Sequence, residues 1–224
     1  ATNNSLRWYE QLLIDENLVS IIYNGIDSDR IDLIGESVEG DNMDPTVVTV
    51  GRHVPVKNYE TLLEAFATVH KRIPDATLSL IGDGPLRAQL EAQAVDLGIS
   101  NAVQFLGEIS REEVYRELIR ADVFTIPSHS EGFCVAAVEA MAVGLPVVVS
   151  DIDVLNEVVG DPGVYADPNN PTEFADAITN LLKNPQKRER LGISAKERAR
   201  AKFTLERTAK KYYEVYNQVA DKLC

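Results

Sequence analysis

The sequence predicts a doubly wound α/β domain, a parallel sheet covered by helices on both faces, and three observations lead to that expectation. From Pro45 onward, short β-branched runs alternate with longer segments of helical periodicity, as parallel strands joined by crossover helices require. Val147-Val148-Val149 and Leu78-Ser79-Leu80-Ile81 are nearly continuous apolar runs, the mark of strands buried on both faces. A chain of 224 residues, 45% hydrophobic and 25% charged, is long enough to bury one sizeable core.

From the N-terminus, residues 5–16 have a helical pattern and residues 18–23 form an apolar stretch that reads as a strand. The polar turn Asn24-Gly25-Ile26-Asp27 follows, and residues 28–44 are acidic and weakly patterned, so residues 1–44 are expected to be a linker segment and 45–224 the domain proper. Strands are expected at Thr46–Val50, Thr77–Ile81, 103–106, Val123–Ile126, 146–149 and Val164–Ala166. Between them, residues 59–71 carry Leu62, Leu63, Phe66 and Val69 on one helical face, and residues 86–97 repeat the pattern with Leu86, Leu90, Ala94 and Leu97. A third helix is expected at 134–143. After the last strand, 171–182, 186–202 and Leu205–Leu223 read as extra C-terminal helices, the last with an aromatic face of Tyr212, Tyr213 and Tyr216 that needs a surface to pack on. There is no internal repeat or low-complexity tract.

Composition excludes several function classes. Asp plus Glu number 35 against 22 Lys plus Arg, and a net charge of −13 repels nucleic acid and anionic membrane surfaces, so no nucleic-acid partner is expected. The acidic surplus is dispersed, as on a solvated surface. Cys134 and Cys224 provide no disulfide framework, which favours a reducing, cytoplasmic setting. No apolar run approaches the roughly 20 residues that span a bilayer, and Ala1 to Trp8 lack the regions of a signal peptide. An abrupt polar start fits a chain cut from a longer protein.

In open parallel sheets, ligands bind beyond the carboxyl ends of the strands, and the loops there hold the informative residues. The first strand runs into Gly51-Arg52, with Lys57 shortly after; the two cations suit a diphosphate, or are solvated surface charges. The second ends in Gly82-Asp83-Gly84-Pro85, where the glycines either approach a ligand or shape a turn; Arg87 occupies the place of the last glycine of a dinucleotide fingerprint. The fourth leads into Pro127-Ser128-His129-Ser130-Glu131-Gly132-Phe133. Glu131 suits a helix N-terminus. Glu139, amid Ala136, Ala137, Val138, Ala140 and Met141, is costly to bury without a partner, and a carboxylate can accept from the vicinal hydroxyls of a ribose. The histidines, His53, His70 and His129, have no ligand spacing, so no metal site is expected.

The Glu131 to Glu139 spacing, within Ser-Glu-Gly-Phe-Cys-Val-Ala-Ala-Val-Glu-Ala-Met-Ala-Val-Gly-Leu-Pro, resembles the Glu-x7-Glu motif of glycosyltransferase family 4. Gly51-Arg52 with Lys57, Ile81-Gly82-Asp83-Gly84-Pro85, Phe105-Leu106-Gly107, Ala121-Asp122-Val123 and Phe203-Thr204 stand in the same order as in that family. The resemblance implies the Rossmann-like C-terminal half of a retaining GT-B glycosyltransferase, with residues 1–44 as the end of, and linker from, an N-terminal domain.

By the same resemblance, Arg52 and Lys57 bind the donor diphosphate and, with Glu131 at the reaction centre, form the catalytic set. Glu139 binds the ribose, Gly82 and Leu106 lie beside the nucleotide, and the main chain of Gly132, Phe133 and Cys134 faces the sugar or phosphate. The donor would be a UDP-, GDP- or ADP-sugar, no cofactor or metal would be required, and the acceptor would be a glycan, a lipid or a small molecule held by the missing N-terminal GT-B domain. The complete protein would be cytoplasmic, with membrane association on the cytoplasmic face left open. A GT-B phosphorylase or epimerase, or a nucleotide-sugar-binding subunit of a split enzyme, is the alternative. Two departures stand out: Cys134 replaces a second glycine after the phenylalanine, and Ile152-Asp153-Val154-Leu155-Asn156-Glu157 lacks paired glycines, which leaves Glu157 a secondary candidate.

Overall fold

The computed structural model describes residues 19–38 and 44–223, so the helix expected at 5–16 lies outside the described residues. Six strands, β1 (Thr46–Val50), β2 (Thr77–Ile81), β3 (Val103–Gly107), β4 (Val123–Ile126), β5 (Val147–Ser150) and β6 (Val164–Ala166), form one sheet in the order β3-β2-β1-β4-β5-β6. All five pairings are parallel; Val47 sits opposite both Leu78 of β2 and Val123 of β4. The strands fall within a residue of where alternating apolar runs and turn residues predict them. The chain steps outward from β1 through β2 to β3, then returns to the other side of β1 with β4. That reversal opens a crevice at the carboxyl ends of β1 and β4.

The helices are α1 (Ser28–Ser37), α2 (Tyr59–Arg72), α3 (Arg87–Asp96), α4 (Arg111–Arg120), α5 (Val135–Val143), α6 (Asp153–Val159), α7 (Pro171–Lys183), α8 (Pro185–Lys202) and α9 (Leu205–Leu223). Each sheet face carries its own core. On one face Leu62, Leu63, Phe66 and Val69 of α2 and Phe174 and Ile178 of α7 cover Val47, Leu78, Leu80 and Val148. On the other, Ala137, Val138 and Met141 of α5, Leu118 of α4 and Ala195 and Ala199 of α8 cover Val48, Phe124, Ile126 and Val149.

Three sequence expectations need correction. Residues 28–44 do not all form a weakly patterned linker: 28–37 are helix α1, capped by the Asp27 carboxylate, which accepts from the Arg30 amide at 3.0 Å. Its apolar face is reduced to Ile31 and Ile34, three residues apart and buried in the same core as β1 and β4, while Leu33 is exposed; so short a stripe hardly shows above the charged background. Residues 19–23 are not a strand. Their neighbour Ile26 instead makes a parallel bridge to Thr204, donating to the Phe203 carbonyl at 2.8 Å and accepting from the Leu205 amide at 3.1 Å. Helices α4 and α6 were not predicted at all. α4 begins with a reciprocal capping box between Ser110 and Glu113.

The C-terminal helices form as expected, α8 lying along α5. Tyr212, Tyr213, Tyr216 and Val219 of α9 are exposed, with Tyr212 and Tyr216 stacked on each other at 6.3 Å between centroids.

Candidate functional site

The loops after β1, β2 and β3 hold one another by backbone contact. Gly51 donates to the Ile81 carbonyl at 2.9 Å, His53 to the Asp83 carbonyl at 2.8 Å, and Gly82 to the Gly107 carbonyl at 2.8 Å. Gly82 has φ +121, and a Cβ there would lie 2.2 Å from the Gly51 oxygen, so both conformation and space require glycine. The structural alternative for this glycine, shaping the turn, is thus sufficient to account for it. His53 is enclosed between Tyr59 and Phe105, each edge-on to its ring. Neither ring nitrogen has a partner among the described residues, and burial holds the imidazole below its ordinary pKa.

Beyond His53 the chain makes a 3₁₀ turn, Pro55–Lys57, and enters α2 through Asn58, which sits in the left-handed region at φ 54. The Asn58 amide nitrogen donates to the carbonyls of Pro127 at 3.1 Å and Pro168 at 2.7 Å. One side chain therefore ties the β1 loop to the loops after β4 and β6 and fixes the residue next to it, Lys57.

Lys57 reaches across the crevice to Glu131, Nζ to Oε1 at 2.6 Å; the side chains are 18% and 8% exposed. The Ser128 hydroxyl donates to the same oxygen at 2.7 Å. Gly132 beside them faces open space, with nothing within 4 Å of where a Cβ would be. Phe133 turns the other way, into an aromatic cluster with Tyr23 and Phe203 at 6.0 and 5.4 Å, so its side chain belongs to the core and only its main chain fronts the crevice. Cys134 precedes α5 at φ 67 and ψ 70, a left-handed conformation that explains why glycine suits this position and that carries a strain of about 1 kcal/mol in a residue with a side chain. Burial, reinforced by the Glu131 charge, pushes its thiol up to about 12. A cavity of about 360 Å³ lies between His129, Ser130 and Glu131 on one side and Ile152, Asp153 and Val154 on the other.

Glu139, one turn into α5, is 6% exposed. Its partner is Arg111 at the start of α4, whose Nε and Nη2 approach Oε1 at 3.2 and 2.9 Å, joined by the Tyr115 hydroxyl at 3.2 Å. Burial beside Glu139 raises the Tyr115 phenol to about 12. Arg111 and Tyr115 escaped the sequence reading because α4 did; the Ser-Arg-Glu-Glu capping signature after the third strand was the available signal.

Arg52 is exposed at the rim, and no partner for its guanidinium is found among the described residues. Leu106 is half-buried at the end of β3. The Glu157 carboxylate, on α6, accepts from the Tyr23 hydroxyl at 2.8 Å. Among the described residues no cluster of His, Cys, Asp or Glu is arranged to hold a metal ion, and no helix is long and apolar enough to cross a membrane.

The crevice therefore offers a free guanidinium, a lysine-carboxylate pair, the amino end of α5 and a second buried carboxylate, all at the switch point of a parallel sheet. Comparison with known proteins leads the same way. The family model described as glycosyl transferases group 1 matches residues 32–198. An uncharacterised glycosyltransferase of Methanocaldococcus jannaschii is 32% identical over 99% of this chain and 62% of its own length. A D-inositol 3-phosphate glycosyltransferase of Corynebacterium urealyticum is 36% identical over 76% of this chain and 42% of its own. This chain thus spans only part of the length of the curated relatives it matches.

Among solved structures, sucrose-phosphate synthase of Thermosynechococcus elongatus superposes with a TM-score of 0.80 at 28% identity, covering 91% of this chain and 53% of that one. Anabaena HepE in complex with UDP and glucose gives 0.81 at 24% identity, with 98% and 61% covered, a likeness of fold. The fold is Rossmann-like and matches GT-B glycosyltransferase structures over part of their length, and the chain belongs to the group 1 glycosyltransferases.

Proposed function

We propose that this chain is the donor-binding half of a retaining family 4 glycosyltransferase that moves a sugar from a nucleoside diphosphate sugar to an acceptor hydroxyl. The observation that most supports this reading is the Lys57–Glu131 pair at 2.6 Å facing the open side of Gly132, with the unpartnered Arg52 guanidinium at the rim. In an acidic protein, a lysine held at the loop that leads into the amino end of α5, with an exposed arginine five residues before it in the chain, is suited to a diphosphate.

On this reading Arg52 and Lys57 stabilise the charge that develops on the departing diphosphate, which is preorganised electrostatic catalysis. The main-chain amides of Gly132, Phe133 and Cys134 add to it, Glu131 orients the sugar in the cavity shared with Ile152 and Asp153, and Glu139 accepts from the ribose. Leu106 and Gly82 border the nucleoside. The acceptor, whether glycan, lipid or small molecule, is held by the remainder of the complete protein, for which a cytoplasmic location with membrane association left open is part of the proposal. Anabaena HepE binds UDP and glucose by its description, which supports a nucleotide-sugar donor without selecting UDP over GDP or ADP.

Calorimetric titration of this chain with UDP, GDP and ADP, with and without EDTA, tests the reading. Selective binding unaffected by EDTA and weakened about 10- to 100-fold by Arg52→Ala, as loss of a charge-assisted phosphate contact requires, is the expected result. Affinity unchanged in Arg52→Ala would remove Arg52 from the diphosphate site, and binding to none of the three would remove the donor reading.

A further inference from the structure

The two oxygens of Glu139 stand in different surroundings. Oε1 receives Arg111 Nε at 3.2 Å, Arg111 Nη2 at 2.9 Å and the Tyr115 hydroxyl at 3.2 Å. No donor reaches Oε2 among the described residues, and that atom is not among the fully buried polar atoms left without a partner, so it opens to the surface of an otherwise buried side chain. The two donors also differ in kind. Tyr115 is 1% exposed and rigidly packed in the core, whereas the Arg111 side chain is 63% exposed at the first residue of α4.

Three donors on one oxygen do more than neutralise a buried charge. They fix the carboxylate plane, because Tyr115 and the guanidinium approach from residues anchored on a neighbouring helix, and they leave the second oxygen as the acceptor with capacity to spare. A carboxylate free to rotate would share its lone pairs with water and lose orientation entropy on meeting a sugar hydroxyl. Arg111 also offsets the cost of burying the Glu139 carboxylate at 6% exposure.

We propose that Arg111 and Tyr115 are positioning residues for nucleoside recognition: they hold Glu139 by Oε1 so that Oε2 is presented to the ribose hydroxyls. The proposal rests on the reading of Glu139 as the ribose ligand. Arg111 thereby acts on affinity for the ribose alone, through Glu139, and not on the diphosphate, which Arg52 serves independently.

The test is a cycle of binding measurements on the whole chain with UDP, GDP and ADP and their 2′,3′-dideoxy forms, for wild type, Arg111→Ala, Arg111→Lys, Tyr115→Phe and Arg52→Ala. Wild type is expected to prefer the ribose form. Arg111→Ala should weaken that form about tenfold and the dideoxy form less than about twofold, erasing most of the preference, and Arg111→Lys should restore part of it. Tyr115→Phe, which keeps the packed ring, should cost the ribose form about threefold and carries the cycle if Arg111→Ala fails to fold. Arg52→Ala should weaken both forms alike.

Equal loss of both forms, or of neither, in Arg111→Ala and Tyr115→Phe would reduce the pair to a structural counter-charge and overturn the proposal while the donor reading stands. A wild type that binds ribose and dideoxy forms equally would overturn the ribose role of Glu139 and the proposal with it. A wild type that binds none of the nucleotides would overturn the donor reading itself.

Discussion

The two sides of the crevice are built by opposite means. On the β1-β2-β3 side, main chain meets main chain: glycines at 82 and 84 bring the loop after β2 against the main chain of Gly51 and His53 until no side chain fits between them, and Arg52, between those two residues, is exposed. On the β4-α5 side the main chain is open around Gly132, and order comes from side chains, with Lys57 and Ser128 on Glu131 and Arg111 and Tyr115 on Glu139. Asn58 joins the two halves through the Pro127 carbonyl. A surface that must present charges to a ligand needs one wall that cannot move and one whose groups can be exchanged for ligand contacts. The first is robust to charge and sensitive to volume; the second is the reverse.

That contrast can be broken most directly by volume. Gly82→Ala places a methyl 2.2 Å from the Gly51 oxygen at a φ of +121, and should cost more than about 3 kcal/mol, read as a large fall in denaturation midpoint; Gly132→Ala, in open space, should stay within about 0.5 kcal/mol. Equal stability of the two variants would show that the interlocked wall can relax. Next in size is the removal of charge. Lys57→Ala leaves Glu131, 8% exposed, without its counter-charge while the Ser128 hydroxyl still donates to it, and should destabilise by about 1–3 kcal/mol, measured in urea at neutral pH. A neutral outcome would mean that the pair contributes nothing to the folded wall.

The smallest effect concerns the histidine inside the rigid wall. Burial depresses the His53 pKa below 6.5, Arg87 adds to the fall, and Asp83 and Glu91 oppose it. The unfolded chain therefore binds a proton more readily: the neutral ring's contribution is present above pH 6.5 and is lost as pH falls below it toward the native value. His53→Phe should flatten the drop in melting temperature between about pH 7 and pH 5 by a few degrees. Superimposable profiles for the two proteins would sink this assignment.

The sequence was most transparent where one kind of signal dominated. The strands and the long helices on the α2 face follow from uninterrupted periodicity, and the Glu131 to Glu139 spacing marks the exchangeable wall. What stayed hidden had its signal diluted or shared. Helix α1 keeps two buried isoleucines in an acidic stretch, and α4 sets its apolar face, Val114, Tyr115, Leu118 and Ile119, in only ten residues of which the other six are charged. With α4 went Arg111 and Tyr115, so the need of Glu139 for a partner was legible and the partner was not. The glycine turn at 82–84 had two readings in the sequence; only the approach of a second loop, thirty residues away in the chain, supplies a reason for it.

The bridge between Ile26 and Thr204 bears on how the molecule assembles. With Tyr23 to Thr208, 185 residues apart, and Arg200 to Asp32, 168 apart, it fastens distant stretches of chain around the β4-α5 side. Closing so long a loop is entropically affordable once the sheet exists, since the cost grows only with the logarithm of length, but it cannot come first. Contacts of such separation are therefore expected to close after the sheet they fasten. Phe133, packed between Tyr23 and Phe203, joins that clasp to the stretch of chain whose main chain fronts the crevice.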